Sequence, residues 1–211
     1  MDGTPTTEVE PAAAAVLFGT QIELARQFAD DLGRRGEELG LIGPLEPARL
    51  WSRHVLNSVL VAPLLRPGLV GDIGTGAGLP GIVLAIARPD VEFVLIEPME
   101  RRVAWLDEQV GLLGLSNVRV ERARAEDVAT KYVLDQVTAR AVSAFAKLIP
   151  LAAPMVRTGG ELVLMKGANA EREVEAASKA IRKYHLEDVE VLTLGEGLLS
   201  ETTRVIRARV E

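Results

Sequence analysis

The stretch best equipped for ligand chemistry is Asp72-Ile73-Gly74-Thr75-Gly76-Ala77-Gly78, followed by Leu79-Pro80-Gly81. Glycines accept backbone angles that side chains forbid, so a flat or anionic ligand can approach the main chain closely. A second acid, Glu97, follows Gly78 by 19 residues. A carboxylate at that distance can accept both hydroxyls of a ribose lying over the glycines, which points to a cofactor containing adenosine. Taken singly, each feature also has a plainer reading: a loop that merely turns, and a strand-end acid that merely meets solvent.

The elements that must position these residues follow from hydrophobic periodicity. Leu69 and Val70 open a buried strand that stops at Asp72, and Ile82, Val83, Ala85 and Ile86 form the apolar stripe of a helix with Pro80 in its first turn. The N-terminus of that helix points into the loop. Val91 to Ile96 is a second buried strand ending at Glu97, and Glu100 to Leu113 is a helix stopped by Gly114. Strand Asn117 to Glu121 leads into Arg122-Ala123-Arg124-Ala125-Glu126-Asp127. Strand Val133 to Thr138 leads into Ala139-Arg140-Ala141. Ser143 to Val156 is helical but interrupted by Pro150 and Pro154, Gly159 and Gly160 turn into strand Glu161 to Lys166, and Glu171 to Lys183 is a helix. The alternating segments His185 to Leu194 and Thr202 to Val210 form a terminal antiparallel hairpin. Upstream, Val16 to Leu39 reads mostly as one amphipathic helix, and Pro47 to Leu65 as a second carrying Arg53, His54 and Asn57. The expected organisation is a disordered tail (1–15), an N-terminal helical cap (16–66) and a core (67–211), together one compact domain.

Composition narrows the classes. A chain of 211 residues with 48% hydrophobic content can bury a single α/β core of moderate size. It has no run of about 18 apolar residues and no leader with a cleavage site, so neither a membrane span nor secretion is expected, and a cytoplasmic location follows. With no cysteine and only His54 and His185 as histidines, a protein-built metal site is not expected. A net charge of −6 argues against general nucleic-acid binding but permits a basic face, for which Arg119, Arg122 and Arg124 or Arg34, Arg35, Arg49 and Arg53 are candidates. Ordinary solvated charge is the plainer reading of both groups.

Two fingerprints overlap in the glycine loop. Gly76-x-Gly78-x-x-Gly81 satisfies the dinucleotide pattern, while Asp72-x-Gly74-x-Gly76-x-Gly78 resembles motif I of class I S-adenosylmethionine (AdoMet) methyltransferases, in which the acid sits near the methionyl ammonium. The terminal hairpin favours the second, because a seven-stranded Rossmann-like α/β sheet closed by a reversed strand is the methyltransferase arrangement, and no residues remain for the substrate domain of a NAD oxidoreductase. The tetrapeptide Asn-Pro-Pro-Tyr, which accompanies methylation of amino groups, is absent after the fourth strand.

From about residue 45 to the C-terminus the chain resembles the bacterial ribosomal RNA small subunit methyltransferase G family, also called glucose-inhibited division protein B. The resemblance is carried by Arg53-His54-Val55-Leu56-Asn57-Ser58, the whole of Asp72 to Gly81, Ala125-Glu126, Ala139-Arg140-Ala141 and Leu164-Met165-Lys166-Gly167. It departs from the family at Gly40-Leu41-Ile42-Gly43, usually Asn-Leu-Thr, and at Asn57, usually an aspartate. The resemblance implies AdoMet-dependent methylation of N7 of a guanine in 16S ribosomal RNA within the small ribosomal subunit, and a monomer is expected. It implies cofactor contacts from Asp72, Gly74, Gly76, Gly78, Leu79, Glu97, Ala125, Glu126 and Arg140, with the Ala125-Glu126 pair reading adenine. RNA-side roles fall to Arg53, His54, Asn57, Arg122, Arg124 and Lys166, with Arg140 and Lys166 positioning the guanine and no general base needed. For His54 a hydrogen-bonded place within its helix stays open beside the substrate role. A small-molecule methyltransferase and a catalytically silent RNA-binding assembly factor are the rival functions.

Overall fold

The strand that ends in the glycine loop occupies the middle of a seven-stranded sheet, covered by helices on both faces. The computed structural model describes residues 7–211, so the first six residues of the expected tail lie outside it. Within the described part the chain is pinned earlier than expected. The Glu8 amide donates to the Pro47 carbonyl at 2.9 Å, and the Glu8 carboxylate accepts from the amide and hydroxyl of Ser52. Helix α1 (Ala13–Phe18) follows, and Gly19, at φ +52°, breaks what periodicity reads as one helix before α2 (Ile22–Arg35) begins.

The second helical pattern is irregular. A 3-10 turn (Pro47–Arg49) runs into a π-helix (Leu50–Leu56), then a single α-turn, α3 (Asn57–Val59), and another 3-10 turn (Ala62–Leu64). Its buried residues, Leu50, Trp51, Val55, Leu56 and Val59, fit a regular helix almost as well, which is why spacing alone does not reveal the widened turn.

The core then alternates strand and helix: β1 (Leu69–Ile73), α4 (Gly81–Ala87), β2 (Glu92–Ile96), α5 (Glu100–Leu113), β3 (Val118–Glu121), α6 (Ala125–Val128), β4 (Leu134–Arg140), α7 (Phe145–Ala152) and β5 (Val156–Lys166). Helices α8 (Ala170–Ala176) and α9 (Ser178–Lys183) replace the single helix expected over 171–183, and strands β6 (Leu186–Leu194) and β7 (Thr203–Val210) close the chain. The sheet order is β3-β2-β1-β4-β5-β7-β6, with β1 to β5 parallel and β7 antiparallel to both neighbours. This is the α/β arrangement with a reversed hairpin that the sequence predicts. Strand β5 starts at Val156, five residues before the expected Glu161, and passes through Gly159 and Gly160. A side chain at Gly160 would come within 2.5 Å of the Asp135 carbonyl, so glycine lets the two strands cross where their register shifts.

Both faces of the sheet are buried, so the strands are almost continuously apolar. Phe28, Leu32, Leu56, Ile82, Phe93 and Leu106 fill one side under the N-terminal helices, α4 and α5. Leu134, Phe145, Ile149, Leu162 and Leu164 fill the other side under α6 to α9. Strand order reverses between β1 and β4, which opens a crevice beyond their C-terminal ends where ligands bind in sheets of this kind.

The N-terminal helices are tied to the core by polar contacts as well. The buried Asp31 of α2 accepts from the Gln109 side chain of α5 at 2.6 Å and from Arg35 at 3.0 Å, while Arg35 also bridges to Glu108 and lies 5.3 Å from the centre of the Trp105 ring. Replacing Asp31 by Ala leaves the Gln109 amide buried without that acceptor. We expect urea unfolding to report a loss of about 1–3 kcal/mol, and an unchanged midpoint would show that the helices are held by apolar contact alone.

Candidate functional site

The C-terminal ends of five parallel strands bring most of the sequence candidates to one rim. Asp72 ends β1, Glu97 follows β2, Ala125 and Glu126 follow β3, Arg140 ends β4 and Lys166 ends β5. The π-helix adds Arg53, His54 and Asn57 from the side. A cleft of about 560 Å³ opens on this rim between Arg53, Asn57, Arg140, Val142, Lys166 and Thr203.

The glycine loop is held from three directions. Below it, one Asp72 oxygen accepts from the Gly81 amide and the other from the Thr138 hydroxyl, both at 2.9 Å. Beside it, the Trp105 indole donates to the Ala77 carbonyl at 3.0 Å. On the other flank Glu97 accepts from the Gly76 amide at 3.1 Å and the Met99 amide at 3.0 Å. Gly78, at φ +94°, and Gly81 cannot carry side chains: an added carbon would lie 2.5 Å from Ile82 and 2.4 Å from Leu95 respectively. The Leu79–Pro80 peptide is cis, and Pro80 precedes α4 instead of sitting in its first turn. A side chain at Gly76 would meet nothing closer than 3.8 Å, so the loop offers open main chain there. That main chain suits the amino-acid end of a ligand such as AdoMet, and Glu97, 1% exposed with one amide on each oxygen, has acceptor capacity left for a ribose hydroxyl.

Asp72 differs from its expected role. It is 0% exposed and each oxygen accepts one hydrogen bond, from Gly81 and from Thr138, so it serves as a brace for the loop from below. Burial raises its pKa to about 6, against the opposing pull of hydrogen bonds and of the Arg140 charge. Thr138, which shares this brace, carries no sequence signal beyond its place in a strand.

Arg140 and Lys166 are both cations at the rim, but they are held differently. Lys166 is 7% exposed and donates to the Ser143 carbonyl at 2.6 Å while pairing with Glu173 at 2.9 Å, and Glu173 also accepts from the Phe145 amide. Lys166 lines the cleft with its ammonium held by these two partners, and it latches the turn after β4, where Ala141 sits at φ +55° and a Val142 methyl lies over Gly74. Arg140 donates to the carbonyls of Arg53 and His54, the Ser58 hydroxyl and Nδ1 of His54, and no carboxylate pairs with it among the described residues. Burial pulls its pKa down to about 10.

His54 is likewise held by hydrogen-bond partners on both ring nitrogens. Its side chain is 12% exposed and lies between Glu46, 2.5 Å from Nε2, and Arg140, 2.7 Å from Nδ1. Burial and the Arg140 charge lower its pKa to about 4. Of the remaining candidates, Arg53 is exposed at the cleft and Asn57 lines it, Arg124 is exposed at the start of α6, and Arg122 pairs with Glu100. Sequence spacing did not point to Glu46, Thr138 or Glu173, whose partners are distant in the chain; Trp105 was detectable only as an unusual aromatic on a helix.

Comparison with known proteins agrees with this geometry. A family model described as "rRNA small subunit methyltransferase G" matches residues 21–205. The Clavibacter michiganensis protein named ribosomal RNA small subunit methyltransferase G is 80% identical, with 96% of each chain covered. The Leifsonia xyli protein of the same name is 66% identical over 98% of this chain and 99% of its own. Among solved structures, M. jannaschii TYW2 in complex with AdoMet aligns with a TM-score of 0.58 at 22% identity, covering 76% of both chains. An rRNA methylase from Streptococcus thermophilus aligns with a TM-score of 0.52 at 13% identity, covering 74% of this chain and 94% of its own. The structural likenesses carry the fold alone.

The Asp72 brace gives a pH signature. Because the folded state holds the Asp72 proton more tightly than the unfolded chain, its stabilising contribution is full below the ordinary aspartate pKa and is lost as pH rises through about 6. An amide at this position can still accept from Gly81 and donate to the Thr138 oxygen. Asp72→Asn should therefore gain about 1–3 kcal/mol relative to the parent between pH 4 and pH 7. Urea unfolding of both proteins across that range measures it, and parallel curves would remove the raised pKa from the account.

Proposed function

The chain belongs to the rRNA small subunit methyltransferase G family, and from that premise we propose that it methylates N7 of a guanine in 16S ribosomal RNA within the small ribosomal subunit. The observation that carries the reading is Arg140: a guanidinium bonded only to neutral acceptors, in a cleft that borders the glycine loop through Val142. A cation held this way keeps its charge for an incoming phosphate or for the electron-rich O6 and N7 edge of guanine.

AdoMet is the cofactor, and when bound it supplies a methyl group on positively charged sulfur. Gly74, Gly76, Gly78 and Leu79 give it a main-chain surface, Glu97 accepts from its ribose, and Ala125 and Glu126 lie where adenine is read. Guanine N7 has an in-plane lone pair and carries no hydrogen, so the chain has no proton to remove. The residues at hand suit that chemistry. Both nitrogens of His54 and both oxygens of Asp72 have hydrogen-bond partners, and of the two carboxylates lining the cleft Glu173 is bonded to Lys166 and the Phe145 amide while Glu201 lies on the turn between β6 and β7. What remains for Arg140 and Arg53 is to bind and orient the RNA.

Residues 16–66 act as an N-terminal cap on the core at 67–211, supplying Arg53 and Asn57 to the cleft, and Arg122 and Arg124 extend the RNA track past β3. We assign the enzyme a monomeric state, and a cytoplasmic place of work because its substrate is ribosomal. No helix among the described residues is long and apolar enough to cross a membrane.

Two measurements test the reading. Glu97→Ala should weaken AdoMet binding by about 1–3 kcal/mol, read by calorimetry, through the loss of ribose hydrogen bonds; an unchanged affinity would take Glu97 out of the cofactor site. Single-turnover methylation of small subunits, with the product identified by mass spectrometry, should give 7-methylguanosine at a rate nearly flat from about pH 6.5 to 9. A different methylated nucleoside, or a rate that climbs tenfold per pH unit, would overturn the N7 assignment.

A further inference from the structure

Arg140 owes its direction to contacts that begin on the far side of His54. A guanidinium only donates, so Nδ1 of His54, 2.7 Å from Arg140, is the accepting nitrogen of a neutral ring. The ring proton is then on Nε2, where the Glu46 carboxylate accepts it at 2.5 Å. The opposite tautomer would set two donors against each other at Arg140 and a lone pair against the carboxylate. Glu46 is itself fixed by Arg49, at 2.6 Å, with Arg53 at 3.6 Å. The π-helix completes the arrangement: the Ser58 hydroxyl donates to the His54 carbonyl at 2.6 Å, and the Arg53 and His54 carbonyls face Arg140.

We propose that Glu46 and His54 are positioning residues: Glu46 holds His54 in its Nε2–H form, and the Nδ1 lone pair thereby aims the Arg140 guanidinium into the cleft. That Arg140 meets RNA there rests on the function proposed above. The Glu46–His54–Arg140 chain itself does not. A carboxylate is not required for its charge in this role, because any acceptor facing Nε2 fixes the same tautomer.

Nuclear magnetic resonance of the imidazole nitrogens in the full chain tests the chain of contacts, and His185→Asn assigns the signals because the sequence has only two histidines. The parent protein should show Nε2 protonated and Nδ1 bare. Glu46→Gln, which keeps an acceptor oxygen, should retain that pattern and methylate small subunits within about threefold of the parent. Glu46→Ala should give mixed tautomers and a rate lower by about tenfold to a hundredfold, with AdoMet affinity unchanged. A proton on Nδ1 in the parent, an Ala variant with unaltered tautomer and rate, or a Gln variant as slow as the Ala variant would each overturn the proposal. If Glu46→Ala does not fold, the parent spectrum and the Gln variant still decide it. If the parent fails to methylate ribosomal RNA, the functional reading falls while the tautomer measurement stands.

Discussion

The carboxylate of Asp72, buried at the end of β1, is the constraint on which the site's shape depends. Removing a carboxylate from water is costly, and the cost is offset here by hydrogen bonds from the Gly81 amide and the Thr138 hydroxyl. Those two donors belong to the start of α4 and to β4, so one side chain fixes three elements at the point where strand order reverses. With the loop held from below, Trp105 and Glu97 settle its flanks, and only its upper surface is left for a ligand. A loop so restrained is formed before the cofactor arrives, and little ordering remains to oppose binding.

The two cations at the rim show how the same type of charge serves different ends. Lys166 is neutralised by Glu173 and bonded to a backbone carbonyl, which makes it a fastener for the turn after β4. Arg140 is half-buried among carbonyls, a hydroxyl and an imidazole lone pair, none of which cancels its charge. A buried cation lacking a counter-ion is unfavourable by itself, as its lowered pKa records. That cost falls when an anion enters the cleft.

The core was legible in the sequence because its signals are local. Continuous apolar runs ending in acids mark parallel strands buried on both faces, and the alternation after His185 marks the reversed hairpin. The glycine loop was legible because its backbone angles leave few residue choices. Asp72, His54 and Lys166 stand at the strand and helix positions the sequence predicts, but what their side chains bond to depends on partners distant in sequence, such as Thr138, Glu46 and Glu173. The π-helix escaped for a related reason: apolar residues at 50, 51, 55, 56 and 59 satisfy two helical periods at once, and only the backbone hydrogen bonding distinguishes them. Helix breaks at Gly19 and Ala177 were hidden by amphipathic patterns that run across them.

An acidic chain that acts on a polyanion must separate charge for recognition from charge for structure. Much of the basic residue count is used internally: Arg26 pairs with Glu10, Arg88 with Asp90, Arg157 with Asp135, and Arg207 and Arg209 of β7 with acids of β6. Exposed pairs of this kind add little stability, but each removes a cation from the surface seen by RNA. In the function proposed above, Arg53 and Arg140 at the cleft and Arg124 beyond β3 are the cations that meet RNA. Few phosphate contacts imply few counterions released and a shallow dependence on salt. Discrimination in such an enzyme must come from the placement of a small number of groups, and so from the contacts that hold Arg140 in one direction.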